Sequence, residues 1–291
     1  PDLNILLAGV KLTQKYLKKG SIVIIESTVY PGATEEICLP ILKKNKKLKY
    51  KKDFNIGYSP ERINPGDKKN YLTNIDKVVS GDSIKTSIAI KNLYSKIIKK
   101  VHIANSIKTA ETAKIIENTQ RDINIALINE VTLICKKMKI DIYDVLKMAN
   151  TKWNFLNFTP GLVGGHCIGV DPYYLSYKAQ SIGYQPEMIL AGRRINDGMS
   201  AYVVKELSNR LLKNEIKVDQ SKILIMGLTF KENCPDTRNT KVFEIIDELE
   251  KLGAETDTYD PWVDKSSLEG KYIIYRGWNT NDINIAVTYF I

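Results

Sequence analysis

The chain has 291 residues, 43% hydrophobic and 26% charged, with a formal net charge of +10, which is enough for two domains with sizeable cores. Its apolar runs are far too short to span a membrane, no signal-peptide pattern opens it, its four cysteines (Cys38, Cys135, Cys167, Cys234) contain no CxxC, and its two histidines (His102, His166) sit in no metal-ligand pattern. A membrane protein, a disulfide scaffold and a zinc site are therefore disfavoured, and a reducing cytoplasm fits. The charge comes from 36 lysines against 7 arginines, spread along the chain without forming one stripe, so a solvated surface explains it better than nucleic acid does.

Residues 1–20 have apolar residues at Leu3, Leu6, Val10 and Leu17 and end in Lys18-Lys19-Gly20, the pattern of an amphipathic helix with a cationic last turn and a glycine stop. Ile22-Val23-Ile24-Ile25 then reads as a buried strand of a parallel sheet. It runs into Glu26-Ser27-Thr28-Val29-Tyr30-Pro31-Gly32 and a helix from about Thr34. The run from Lys43 to Lys52, with seven lysines in ten residues, reads as a solvated loop. Residues 54–58 form a second strand, ending in Ser59-Pro60-Glu61-Arg62-Ile63-Asn64-Pro65-Gly66; Lys77–Gly81 forms a third, and 83–98 a helix. Loops at strand ends that lead into helices are where open α/β sheets bind ligands.

Residues 108–138 carry apolar residues at helical spacing (Ala110, Ala113, Ile116, Ile123, Leu127, Ile134, Met138) with no Gly or Pro. A helix of that length runs about 45 Å and suits a connector between domains. Lys114 and Asn118, at i and i+4, share one face of it; by base rates Lys114 alone would be an exposed lysine. Asp141 and Asp144 open a shorter helix. Residues 173–183 and 185–213 read as helical, with Ala191–Asp197 leading toward the last domain. There Ile223–Gly227 is a buried strand, Leu228–Arg238 a polar loop, 240–252 a helix stopped by Gly253, and Glu255–Asp260 the next strand. A Lys and an Arg in the loop of this βαβ unit make it a candidate anion site. Another strand begins around Ile283, Ala286 and Val287.

Between the helices lies Phe158-Thr159-Pro160-Gly161-Leu162-Val163-Gly164-Gly165-His166-Cys167-Ile168-Gly169-Val170-Asp171-Pro172-Tyr173-Tyr174-Leu175. Its glycines let the backbone approach a ligand closely. Taken alone, its cysteine reads either as a nucleophile, which needs nearby positive charge or a base, or as a structural thiol in a tight turn.

These pieces together resemble the UDP-glucose/GDP-mannose dehydrogenase family, and within it the UDP-N-acetylhexosamine (GlcNAc/GalNAc) 6-dehydrogenases. The resemblance rests on Glu26–Gly32, on Ser59-Pro60-Glu61-Arg62, on Lys114 with Asn118, on Gly164-Gly165-His166-Cys167 with Asp171, and on Phe230-Lys231-Glu232-Asn233 with Arg238, in this order. It implies an α/β fold of two Rossmann-like, doubly wound domains joined by a long central helix. Residues 1–107 would be the C-terminal part of an NAD-binding domain, 108–213 a central helical and dimerisation domain with the cysteine loop, and 214–291 a nucleotide-sugar-binding domain. No G-x-G-x-x-G follows a strand anywhere, so the glycine-rich phosphate loop of such a fold is expected upstream of Pro1, and the last domain is expected to continue beyond Ile291.

The resemblance further implies a four-electron oxidation of a sugar C6 alcohol to a carboxylate with two NAD, through a thiohemiacetal and a thioester on Cys167. Lys114 and Asn118 would stabilise the oxyanion, Asp171 would be their acid/base partner, and Glu61 with Thr28 would position water for thioester hydrolysis. Ser27, Thr28, Val29, Cys167 and Arg238 would contact NAD. Glu61, Arg62, Lys114, Asn118, Phe158, Gly161, Gly164, Gly165 and Lys231 would contact the UDP-sugar. No metal is implied, and a cytoplasmic homodimer through the central helix, feeding a surface polysaccharide, is. His166, next to Cys167 in sequence, is expected to fix the loop and not to face the thiol. Many UDP-glucose and GDP-mannose members carry lysine directly before the loop aspartate; here it is Val170, which favours an N-acetylated hexosamine. The alternatives are a UDP-glucose or UDP-ManNAc 6-dehydrogenase, or a nucleotide-sugar-binding module without catalysis.

Overall fold

The computed structural model describes residues 1–64, 67, 70–263 and, as backbone, 285–288. Pro65 and Gly66 of the second strand-end loop, and Ile283 of the last expected strand, lie outside these residues. The chain forms two compact units, one of residues 1–119 and 171–186, the other of residues 120–170 and 187–291. Among the described residues no helix is long and apolar enough to cross a membrane.

The first unit opens with helix α1 (Asn4–Tyr16) and strand β1 (Ser21–Ile25). The helix ends a turn before Gly20 because Leu17 turns extended (ψ 133°) and packs against the core. A π-helical turn (Thr34–Cys38) and the short α2 (Leu39–Leu42) lead to β2 (Phe54–Tyr58), β3 (Lys77–Gly81), α3 (Ile84–Tyr94) and β4 (Val101–Ile103). The side chain of Ser83 caps α3 by accepting from Thr86 N. This helix stops at Tyr94, short of the expected 98, as the chain turns to bury Ile98. β4 has no counterpart in the sequence reading, because three residues after a pair of lysines are too short for any periodicity to register.

The sheet order is β1-β2-β3-β4, with β1/β2 and β3/β4 parallel but β2/β3 antiparallel. A parallel pair needs a long crossover, usually a helix; the described residues of the connection 59–76 hold none, and β3 pairs antiparallel with β2. Phe54, Ile56, Tyr58, Leu42 and Val29 fill the core beneath, and full burial of such a side chain contributes about 1.5–3 kcal/mol. Helix α6 (Asp171–Ser181) completes the unit.

Helix α4 (Ile107–Met138), 32 residues long, belongs to both units. In the second unit it is followed by α5 (Ile142–Ala149), where Asp141 accepts from Tyr143 N at 2.7 Å as the N-cap. Next come α7 (Glu187–Asp197) and α8 (Met199–Lys213). The single helix expected over 185–213 is thus two, and Ala191–Asp197 lies inside α7. The break falls at Gly198, whose N–H is shared between the carbonyls of Arg194 and Ile195. Strands β5 (Lys222–Met226), β6 (Glu255–Tyr259) and β7 (Ile285–Thr288) form a parallel sheet of order β6-β5-β7, with α9 (Val242–Lys251) as crossover. Ile223, Ile225, Ile246 and Leu249 anchor its core.

Candidate active site

In the first unit, Lys114 and Asn118 lie one turn apart on α4, and Asp171 stands at the first turn of α6. Asn118 Nδ2 donates to Asp171 Oδ2 at 2.6 Å, and Lys114 Nζ lies 3.8 Å from the same oxygen. Lys114 is 8% exposed and Asp171 2%, so this charge pair is taken out of water. Burial raises the Asp171 carboxyl above the ordinary range, against the pull of the Asn118 hydrogen bond and the Lys114 charge, while Glu117 pushes the same way as burial. The arrangement supplies a buried cation and an amide, whose second N–H is still available to donate.

The loop at the carboxyl end of β1 is shaped from below by Glu111, fully buried on α4, which accepts from Gly32 N at 2.5 Å and Thr34 N at 2.9 Å. Gly32 has φ +96°, and a Cβ there would meet the Glu36 carboxylate. Ser27 is exposed and Thr28 half-buried, whereas Val29 is wholly inside the core, leaving only its backbone for a ligand. Glu61 Oε1 accepts from Arg62 N and Ile63 N, each at 2.7 Å, and Glu61 Oε2 lies 3.9 Å from Lys77 Nζ. Lys77 is buried; its ammonium also reaches Glu26 (3.4 Å) and sits 4.7 Å from the centre of the Tyr94 ring. Arg62 pairs with Glu117 at 2.6 Å and donates to the carbonyl of Asp76.

In the second unit the cysteine loop is held at several points. Asn129 donates to Gly161 O and accepts from Gly161 N, both at 2.9 Å. Phe158 packs beside Ile128, Ile142 and Leu146. At Gly165 (φ +80°) a Cβ would come within 2.6 Å of the Phe230 ring, and at Gly164 within 2.8 Å of Asn239 O. Glycine at these two positions therefore admits the loop that carries Lys231 and Arg238. Lys231 is half-buried, and Thr229 Oγ1 donates to its carbonyl. Behind the loop, Asp122 Oδ1 accepts from Arg193 Nη1 at 2.6 Å and Asn196 Nδ2 at 2.7 Å, and Asn196 Oδ1 accepts from Asn129 Nδ2 at 2.9 Å.

Cys167 is half-buried, with its Sγ 3.8 Å from His166 Nδ1. This corrects the expectation that His166 would not face the thiol. Neighbouring side chains diverge along an extended strand, but residues 165–170 form a turn, closed by Val170 N donating to Cys167 O, and a turn brings neighbours together.

Three matches cover nearly all of this sequence in order: the NAD binding domain (residues 1–98), the central domain (108–198) and the UDP binding domain (224–288) of one family. The chain belongs to the UDP-glucose/GDP-mannose dehydrogenase family. It is 58% identical over 273 residues to a UDP-N-acetyl-D-glucosamine 6-dehydrogenase of Pseudomonas aeruginosa, and 53% to one of Salmonella typhi, each alignment covering 94% of this chain. It spans 65% and 64% of those relatives' lengths. Among solved structures it is similar to a UDP-D-ManNAc dehydrogenase of Pyrococcus horikoshii, with TM-score 0.84 and 34% identity over 91% of this chain and 62% of that one.

Sequence reasoning missed Glu111, Lys77, Asn129 and the Asp122–Arg193–Asn196 cluster. A signal was present for part of this. Glu111, Lys114, Asn118, Asp122 and Asn129 are spaced by 3, 4, 4 and 7 residues, a single face of α4, and four of the five are buried.

Proposed function

We propose that the whole protein oxidises C6 of a UDP-N-acetylhexosamine, UDP-GlcNAc first, to the uronic acid with two NAD, in the cytoplasm and as a homodimer. The observation that carries this is the buried Lys114–Asp171 pair with Asn118 on the same carboxylate oxygen. It is a preorganised place to stabilise an oxygen that gains negative charge.

Residues 1–107 would carry the cofactor, 108–213 the chemistry and the dimer contact, and 214–291 the nucleotide. The residues at the end of β1 fit a nucleotide cofactor: a strand-end loop of a sheet, shaped by Glu111 and presenting Ser27 and Thr28 hydroxyls and the Val29 backbone. Bound NAD supplies the hydride acceptor for each oxidation.

As the C6 alcohol is oxidised its proton must leave, and Lys114 with the spare Asn118 N–H stabilises the oxyanion while Asp171 relays the proton. The Cys167 thiolate adds to the aldehyde carbon and retains it as a thiohemiacetal, whose oxidation gives a thioester. Water held by Thr28 and activated by Glu61 cleaves the thioester, releasing the carboxylate and returning the thiol. The loop Phe158–Gly165 with Lys231, together with Arg62, would hold the UDP-sugar.

A homodimer is supported by the far side of α4. There Ile116, Leu127, Ile134 and Met138 are all about half exposed, an apolar row left open opposite the buried Glu111, Lys114, Asp122 and Asn129.

The test is NADH formed per sugar consumed by the full-length protein with UDP-GlcNAc, UDP-GalNAc, UDP-ManNAc and UDP-glucose. Two NADH per UDP-GlcNAc is the expected result. Tight binding of the sugar nucleotide with no NADH from any substrate would instead favour a module without catalysis.

A further inference from the structure

A line of polar groups in the second unit runs from a carboxylate to the thiol. Asp236 accepts from Arg238 Nε at 3.0 and 3.1 Å, from Nη2 at 2.6 Å and from the Arg238 backbone N at 2.9 Å. The same Nη2 lies 3.3 Å from His166 Nε2, and His166 Nδ1 lies 3.8 Å from Cys167 Sγ. The Phe230 ring packs against the imidazole in an edge arrangement, 5.8 Å between centroids, in the space that Gly165 leaves by having no Cβ.

The direction of each hydrogen bond follows from chemistry. A guanidinium has donors only and does not lose its proton in proteins. Nε2 must then accept, and the neutral ring carries its hydrogen on Nδ1, the nitrogen next to the sulfur. We propose that His166 is a neutral hydrogen-bond donor to the Cys167 thiolate, with its tautomer set by Arg238 and Arg238 itself fixed by Asp236. The proposal deepens the reading of Cys167 as nucleophile and rests on it. A base at Nδ1 would put hydrogen on both ring nitrogens, and Nε2–H would then face a guanidinium that has donors only, so the Arg238–His166 hydrogen bond would be lost. A donor needs no such change. An N–H aimed at sulfur favours the anion over the neutral thiol, and the anion is the reactive form. His166 thus holds the thiol in its reactive form without taking its proton.

Two measurements on the intact protein test this, and neither needs turnover. The first is a long-range nitrogen–proton correlation spectrum of protein with labelled histidine at pH 7. The sequence has two histidines, and His102→Gln assigns the pair. His166 should carry hydrogen on Nδ1 with Nε2 bare, and Arg238→Met should release the Nε2–H form. An Nε2–H ring or a doubly protonated ring in the parent protein overturns the proposal, as does a tautomer indifferent to Arg238→Met.

The second is the rate of iodoacetamide labelling at Cys167, read by peptide mass at pH 7. His166→Ala should slow it roughly three- to tenfold, since one pKa unit is a tenfold change in thiolate share. His166→Asn should recover most of the rate, because a carboxamide N–H can take the place of Nδ1–H. Cys38, Cys135 and Cys234 are buried and should stay unlabelled, which certifies that each variant is folded. Equal rates for the parent protein and His166→Ala, or His166→Asn as slow as His166→Ala, overturn the proposal. If labelling follows the expected pattern while Cys167→Ser still forms acid at the normal rate, the hydrogen bond stands and the covalent mechanism falls.

Discussion

Replacing Arg193 with leucine should destabilise the unit of residues 120–170 and 187–291 by about 3–5 kcal/mol at pH 7, because it strands a buried carboxylate. Asp122 is fully buried, and its Oδ1 takes one hydrogen bond from Arg193 at 2.6 Å and one from Asn196 at 2.7 Å. Without the guanidinium, the charge keeps a single neutral donor on that oxygen. Asp197, the second acid on Arg193, is not stranded, since Lys241 Nζ lies 3.2 Å from it.

The loss should depend on pH in a defined direction. Burial already raises the Asp122 carboxyl above its ordinary value, and the Arg193 charge and hydrogen bond are among the effects that hold it down. Removing them raises it further. A carboxyl with a raised folded pKa binds its proton more tightly folded than unfolded. Stability therefore falls as pH rises from the unfolded value near 4 to the folded one, by about 1.4 kcal/mol per unit, and is flat outside that window. The deficit of the variant should be small near pH 4 and larger at pH 7. Two units in one chain make a single global melt ambiguous, so the assay is hydrogen exchange of α7 amides at pH 5 and 7, corrected for intrinsic rates. Leucine at both 122 and 193 should recover part of the loss. A deficit below about 1 kcal/mol, or one of equal size at both pH values, would refute the buried-charge reasoning.

Gly165→Ala should weaken amide-exchange protection in the second unit well beyond what Gly183→Ala does in the first. Both glycines have φ near +80°, but only at Gly165 would the Cβ collide, with Phe230; Gly183 faces open space. The shared backbone cost is about 1–2 kcal/mol and the collision adds about 1–3, so equal losses of protection in the two units would contradict the packing. Lys114→Met should cut turnover by about 10²–10³-fold and destabilise the first unit, with the stability loss easing toward acid as Asp171, deprived of its cation, protonates more readily; denaturation at pH 5 and 7 measures the second part. Asn129→Ala removes both hydrogen bonds to Gly161. It should raise KM for the UDP-sugar more than it lowers kcat, and steady-state kinetics showing the reverse would mean the loop is held by its other contacts.

The sequence by itself determined the order of most elements and the family. Apolar runs such as Ile22–Ile25 and Ile223–Met226 read as strands from their length and β-branched content, but their placement did not: β5 is central and buried, whereas β1 is the edge of the described sheet with Ile22 37% exposed, and the motifs around Cys167, Lys114 and Lys231 are legible as local residue order. Val29 and the glycines at 164 and 165 were picked out by motif, although nothing local could tell that Val29 is wholly internal or that the two glycines make room for Phe230 and Asn239. The antiparallel β2/β3 junction and strand β4 were beyond it, because each depends on which distant segment supplies the hydrogen bonds.

Helix α4 makes the same division within one element. Its length could be read from an unbroken 3.6-residue pattern, but its orientation could not. Hydrophobicity alone would turn Ile116, Leu127, Ile134 and Met138 inward, whereas the fold leaves these four exposed and buries Glu111, Lys114, Asp122 and Asn129 beside Ile115, Ala126 and Ile128. A buried polar group is tolerated only where partners meet it. Those partners — Gly32 and Thr34, Asp171, Arg193 and Asn196, Gly161 — lie between 32 and 79 residues away along the chain. Tertiary structure alone brings them to the helix, and so it alone decided which face of α4 is the inside.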